Sequence, residues 1–273
     1  MVRNYVLSLD VSTSTMGISL FEDMGDYGVL KELNHFQPNL NPEPETQLER
    51  IKEKAEVYVV ALHEKYSMFN ITRIIVEEPL ANSMSQKVAK MLEIFNEYFC
   101  HLLAKRFGIK IDFISVDNAR RFGLPELLGK DGKLMSDFPK SVAGLKKNDW
   151  GKFLIMYLVS QRYPQIKWIL NNALKISKAN FDRADSVVAG LGFMIKSGLW
   201  TKMGTQEFWD GSNFSYENCV TIIEKNVAYE KFTKNHIDKD KTLSAKDKLK
   251  VKKKYLLEVF NIDNYLNVEF KNE

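Results

Sequence analysis

This sequence predicts an α/β fold built on a mixed sheet, with a helical, lysine-rich extension at its C-terminal end. Three observations carry that reading. Short apolar segments that read as strands alternate with longer ones whose apolar residues recur at helical spacing, the pattern of a sheet flanked by helices. A tight Ser/Thr-rich turn separates the first two strands, which makes them an antiparallel hairpin beside parallel neighbours. Ten lysines between positions 231 and 254 face only Asp238, Asp240 and Asp247, a local charge of +7. With +4 over the whole chain, the remainder carries −3, so the basic character sits in that one stretch.

Taken in order, residues 4–10 (NYVLSLD) form the first strand and 16–22 (MGISLFE) the second. Residues 34–46 contain Pro38, Pro42 and Pro44 and read as a loop. Leu48, Ile51, Ala55, Val59 and Leu62 place a helix over 48–65. Residues 71–77 (ITRIIVE) are apolar on both faces, as in a central parallel strand, and Pro79 stops them. Val88, Met91, Leu92, Phe95, Phe99, Leu102 and Leu103 give a second helix a wide apolar stripe, and 109–116 (IKIDFISV) alternates as a further strand. Glycine and proline then recur through 120–148, which predicts a long irregular insertion. Helices follow over 150–162 and 180–197, and Ser244 is placed to cap one more that runs toward Phe260. The expected division is a core domain over 1–198 and a basic extension over 199–273.

Composition excludes several classes. A chain with 45% hydrophobic and 27% charged residues is not globally disordered. Two cysteines, Cys100 and Cys219, are too few for a secreted disulfide framework and point to a reducing, cytoplasmic compartment. The apolar start meets Asp10 too early for a signal peptide, and no apolar run nears the roughly 18 residues that cross a membrane. There is no P-loop and no GxGxxG. His35, His63, His101 and His236 are scattered without ligand spacing, and the cysteines lack both CxxC spacing and a nearby histidine.

Four carboxylates stand out by position. Asp10 closes the first strand, where an unpaired charge is costly unless a cation or a cluster of amides neutralises it. Taken alone it is also an ordinary turn cap over Ser12 and Thr13. Glu77 and Glu78 close the strand at 71–77, and strand parity lets only one of them share a pocket with Asp10. Asp182 and Asp185 lie three apart at a helix start, on one face. The helix dipole accounts for Asp182 by itself; Asp185 sits deeper, ahead of an apolar run. Together, hard oxygen donors without a His or Cys cluster suit Mg²⁺ or Mn²⁺ rather than zinc.

In their order these residues resemble the RNase H-like fold of RuvC-type Holliday junction resolvases. In that family an aspartate ends the first strand, with Ser or Thr three residues on and Gly seven on, as Asp10, Thr13 and Gly17 do here. A glutamate follows an apolar strand, as Glu77 follows Ile74-Ile75-Val76, and the last helix opens on Asp-x-x-Asp, as at Asp182 and Asp185. The resemblance spans residues 4–197 and implies a mixed five-stranded sheet, with Asp10, Glu77, Asp182 and Asp185 as catalytic ligands of two Mg²⁺ ions (or Mn²⁺). It also implies a metal-dependent endonuclease that resolves four-way or branched DNA junctions, working as a homodimer that nicks two symmetric strands. Where the family often carries an aromatic wedge, this sequence has Pro79-Leu80. Candidate DNA contacts are Thr13, the Arg120-Arg121 pair beside Phe122, and Lys146, Lys147 and Lys152. The C-terminal Lys250, Lys252, Lys253 and Lys254 join them as candidate backbone contacts.

Three other readings share these features. A related nuclease would cut flaps, RNA–DNA hybrids or RNA. An actin-like ATPase or sugar kinase also ends its first strand in Asp before a Ser/Thr-rich hairpin, but needs a second phosphate loop and a Gly-rich nucleoside site. A DNA-structure binding protein without catalysis would not need all four carboxylates.

Overall fold

In a computed structural model of the chain, residues 2–40, 46–79, 86–128, 139–202, 215–260, 262 and 266–269 are described. Contacts group it into two units, Met1–Leu134 with Asp182–Gly211, and Met135–Phe181 with Ser212–Glu273. The expected division at residue 198 runs differently: residues 135–181 group with the C-terminal segment.

The first unit is built on five strands: β1 (Asn4–Val11), β2 (Met16–Asp23), β3 (Gly28–Phe36), β4 (Ile71–Glu77) and β5 (Ile111–Ile114). Their order is β3-β2-β1-β4-β5. β1, β2 and β3 form an antiparallel meander, while β4 runs parallel to β1 and β5 parallel to β4. This is the expected mixed five-stranded sheet. β3 lies where no strand was expected, because only Gly28 and Leu30 along it are buried. An edge strand with so little apolar alternation leaves no period-two signal. β5 is shorter than expected, since the chain turns at Ser115 into a helix, α3 (Val116–Gly123). Part of the expected irregular insertion is therefore helical, and residues 129–138 of it lie outside the described residues.

Strand parity sorts side chains to the two sheet faces. Leu7, Leu9, Ile74 and Val76 point into one core with Ile51, Ala55, Tyr58, Val59 and Leu62 of α1 (Gln47–Tyr66) and Phe95, Phe99 and Leu103 of α2 (Gln86–Phe107). The apolar stripe on α2 is thus used in this core; the Val88 side chain lies outside the described residues. Burying residues of this size stabilises the unit by about 1.5–3 kcal/mol each. α1 starts at a capping box: Thr46 accepts from the Glu49 amide while the Glu49 carboxylate accepts from the Thr46 amide.

The opposite sheet face carries the helix α5 (Ala179–Lys196). Ser19 Oγ donates to the Ser186 carbonyl at 3.0 Å, and Ser186 Oγ to the Arg183 carbonyl at 2.7 Å. Approach is closest at glycines. A Cβ at Gly190 would come within 2.9 Å of Ser8 Cβ, and one at Gly17 would fall 1.9 Å from the Asp182 carbonyl oxygen. α3 closes on α5 the same way, with Gly192 against the Ala119 backbone.

The second unit holds α4 (Lys147–Arg162), which is buried almost all round from Leu154 to Ser160, as an interior helix is. A two-stranded hairpin, β6 (Ser141–Val142) and β7 (Leu145–Lys146), precedes it and turns at Ala143 and Gly144, both with positive φ. β8 (Trp168–Ile169) pairs in parallel with β9 (Val268–Glu269). α6 (Tyr216–Phe232) passes through a π-helical turn (Thr233–Ile237) toward α7 (Ala245–Glu258). Ser244 caps α7 by accepting from the Asp247 amide, as expected, and Phe232 stacks on Tyr255 with ring centroids 3.7 Å apart. Among the described residues no helix is long and apolar enough to cross a membrane.

Gly17→Ala should cost about 1–3 kcal/mol in urea unfolding, because overpacking here presses on the backbone of α5. Gly151→Ala, in α4 with nothing within 4 Å of the added carbon, should instead stabilise by about 0.5–1 kcal/mol. Equal effects would remove the close contact from the explanation.

Candidate active site

Asp10 and Glu77 are brought together by strand register. Leu9 pairs with Val76 across the parallel β1/β4 ladder, so the next residues on each strand stand side by side. By parity both leave the α1/α2 core and face the α5 side of the sheet. Glu78, one residue on, is exposed, and its amide donates to the Ile114 carbonyl at 2.9 Å. Of the two adjacent glutamates, Glu77 is the one beside Asp10.

α5 adds Asp182 and Asp185 from one helix face. The electrostatics of Glu77 record the gathering. Its carboxyl is held well above the usual carboxylate range, first by loss of hydration, then by the charges of Asp10 and Asp185 and more weakly Asp182. Arg120, on α3, opposes that shift. Four carboxylates and one guanidinium therefore share a single electrostatic neighbourhood, in which Asp10 and Asp185 are the charges that act most on Glu77.

Asp182 is turned toward the β1–β2 hairpin, where the Thr15 hydroxyl donates to its Oδ2. The hairpin is itself tightly held. Ser12 Oγ accepts from the amides of Ser14 and Thr15 at 3.2 and 3.0 Å, Lys54 Nζ donates to the Thr13 carbonyl at 2.9 Å, and Tyr58 OH to the Ser12 carbonyl at 3.1 Å. Burial and then the nearby Asp182 charge push the Tyr58 hydroxyl upward, so it stays a donor.

Three of these residues were not found by sequence reasoning. Thr15 rather than Thr13 meets a carboxylate; the order of Ser and Thr in STST carries no sign of which will do so. Lys54 and Tyr58 lie one helical turn apart on α1, and their polar atoms beside an apolar stripe were the available signal. Arg120, expected only along a DNA strand, stands near Glu77, while Arg121 is exposed on the same helix. Lys146, Lys147 and Lys152 are exposed in the second unit, with Lys152 Nζ 5.8 Å above the Phe181 ring. Lys250, Lys253 and Lys254 are exposed on α7. Lys252 differs: it is buried and bonds Asp238 Oδ1 at 2.5 Å, which corrects its placement among phosphate-facing lysines. Cys100 and Cys219 are buried, and burial pushes both thiols up to about 12, so neither supplies a thiolate at neutral pH.

The donor set suits a hard divalent cation: four carboxylates, one of them partly buried and repelled by its neighbours, a cost that a bound cation offsets. Among the described residues no three acidic, imidazole or thiol side chains close around one point. The residue types and their charge thus fit a cation, while the carboxylates are spread more openly than a closed ligand shell.

The sheet order, the acidic strand ends and the Asp-x-x-Asp helix start are now all in place. The fold is a mixed five-stranded sheet of order β3-β2-β1-β4-β5 with helices on both faces. No family model matches the chain, and no curated protein does. Among solved structures it is similar to Thermus thermophilus RuvC in complex with a Holliday junction substrate, at 11% identity and a TM-score of 0.45 over 71% of this chain and 96% of that one. It is similar to the yeast mitochondrial Holliday junction resolvase Ydc2 at 14% identity and 0.46, over 71% and 79%. An Aquifex aeolicus Ppx/GppA phosphatase is similar at 11% and 0.30, over 72% and 91%.

Glu77→Gln should raise the melting temperature in EDTA at pH 8 by about 2–4 °C, the shift that 1 kcal/mol gives a chain of this size. The sign follows from the raised carboxyl. Its contribution is full below the ordinary value, 4.5, and is lost as pH rises through the higher folded value. The gain should therefore fade as the pH falls below 4.5, where the carboxyl is protonated in both states. A lowered melting temperature at pH 8 would show that the carboxylates do not repel.

Proposed function

We propose that this chain is a divalent-cation-dependent, structure-selective endonuclease that resolves four-way DNA junctions. The observation that supports it most is the convergence of Asp10, Glu77, Asp182 and Asp185, from two strand ends and one helix, on the neighbourhood of one desolvated carboxyl. These residues would hold two Mg²⁺ or Mn²⁺ ions. When bound, such a pair activates a water for attack on phosphorus and stabilises the leaving oxygen. The chain's own groups do the rest. Thr15 orients Asp182, Lys54 and Tyr58 fix the hairpin that carries Thr15, and Arg120 supplies positive charge beside Glu77, where a scissile phosphate needs it.

Branched DNA is the proposed partner, bound through Arg121, Lys146, Lys147, Lys152 and the exposed lysines of α7. A homodimer would match the two-fold symmetry of a four-way junction. That part of the proposal rests on substrate symmetry, since the α2 stripe is used in the core. The kinase reading is disfavoured by the hairpin, whose Ser14 and Thr15 amides are taken up by Ser12 Oγ rather than presented to a phosphate.

With labelled four-way junction, flap, duplex and hybrid substrates, Mg²⁺ should give nicking of the junction and EDTA none. Asp10→Asn and Glu77→Gln should keep junction binding and lose at least about 100-fold in cleavage, more than altering a group that merely supports a metal ligand costs. Glu78→Gln should cleave as the parent does; the reverse pattern would place the active carboxylate one residue on. Preference for flap or hybrid would move the substrate assignment and keep the chemistry.

Replacing Lys250, Lys253 and Lys254 by Ser should lower the slope of log affinity against log salt by up to about 2.7, or 0.9 per phosphate. Lys252→Ser should instead destabilise the fold, because it removes a buried side chain and its bond to Asp238. An unchanged slope in the triple variant would make α7 a solubilising face only.

A further inference from the structure

Asp182 and Asp185 can serve one site only if α5 is set on the sheet at a fixed angle about its own axis. They lie about 60° apart around that axis, so a roll of the helix carries both toward or away from the strand ends together. Between them stands Arg183, which has no part in the proposed chemistry. It is only 5% exposed, and a terminal nitrogen of its guanidinium donates to the Leu33 carbonyl on β3 at 3.0 Å. Taking a guanidinium out of water is costly, so its burial beside Asp182 calls for a reason.

The other contacts that hold the start of α5 come from one stretch of chain. The Thr15 hydroxyl donates to the Asp182 carboxylate, Gly17 packs against the Asp182 carbonyl, and Ser19 Oγ donates to the Ser186 carbonyl at 3.0 Å. Residues 15, 17 and 19 follow one another along a single extended segment, the end of the hairpin turn and β2. Contacts strung along one line fix where a helix lies and leave it free to roll about that line. Leu33 is off the line, on the next strand, where it pairs with Ser19. A bond to its carbonyl therefore stops the roll. We infer that Arg183 is a positioning residue, whose bond to Leu33 fixes the roll of α5 and so aims Asp182 and Asp185 at Asp10 and Glu77. Arginine suits this task because its planar, preorganised fork loses less freedom per hydrogen bond than the flexible lysine stem does. The inference rests on the reading that these four carboxylates hold two divalent cations.

The test uses the full-length chain, with bound Mn²⁺ counted by loss of the free-ion EPR signal and the melting temperature in EDTA measured alongside. The parent should bind two ions. Arg183→Met, similar in length but without a donor, should lose one ion or at least about tenfold in affinity for it, as when a group that orients a metal ligand is removed. Arg183→Lys keeps a donor and the charge, and should bind more tightly than Arg183→Met and more weakly than the parent. Leu103→Ala, in the α1/α2 core on the other sheet face, should lower the melting temperature while both ions bind as in the parent. That control separates aim from mere stability. If Arg183→Met does not fold, Arg183→Lys against Leu103→Ala decides. Two ions bound with parent affinity by the Arg183 variants overturn the inference alone, as does an equal loss of binding in Leu103→Ala. A parent chain that binds no Mn²⁺ overturns the cation reading, and the inference with it.

Discussion

The parallel register of β1 and β4 brings two carboxylates to the ends of adjacent hydrogen-bonded strands, and much of the first unit is organised around holding them there. With Leu9 opposite Val76, Asp10 and Glu77 have no freedom to separate except by breaking the ladder. The apolar residues on the other sheet face, Leu7, Leu9, Ile74 and Val76, lock that ladder into the α1/α2 core. Burial on one face thus holds like charges together on the other. α5 then adds two more carboxylates, and it reaches them only because position 17 has no side chain. Arg120 and Thr15 ease the resulting electrostatic load without removing it. A cluster that costs stability when empty is poised to gain it on binding a cation, the usual relation between a functional site and the fold that carries it.

The parts of this arrangement that depend on period and parity were legible in the sequence. The strands at 4–10, 16–22 and 71–77 were readable because both faces or one whole face of each is buried. Parity alone limited the pocket to one of Glu77 and Glu78, and the resemblance selected Glu77. Gly17 was visible as a spacing, though the reason for it, the Asp182 carbonyl, belongs to the tertiary structure. β3 was not legible: seven of its nine residues escape full burial, so they carry no alternation. The choice of Thr15 over Thr13 depends on how a four-residue turn folds back, which composition does not encode.

The lysine run shows the same limit from another side. Its excess charge was countable, and Ser244 was readable as a helix cap. Which lysine turns inward was not, because Lys252 is buried only through a bond to Asp238, fourteen residues earlier and across the turn between α6 and α7. Likewise, the grouping of residues 135–181 with the C-terminal segment depends on long-range packing, including the pairing of Trp168 with Val268, that no local pattern announces.

Direct measurement of cation binding by the full-length chain bears most closely on the carboxylate cluster. Calorimetric titration with Mn²⁺ should give saturable binding of two ions per chain, with Asp10→Asn and Glu77→Gln each losing an ion or at least about tenfold in affinity, and Glu78→Gln binding as the parent does. Absence of saturable binding at millimolar Mn²⁺, or equal binding by the Asp10→Asn, Glu77→Gln and parent chains, would contradict a metal-holding role for these four residues.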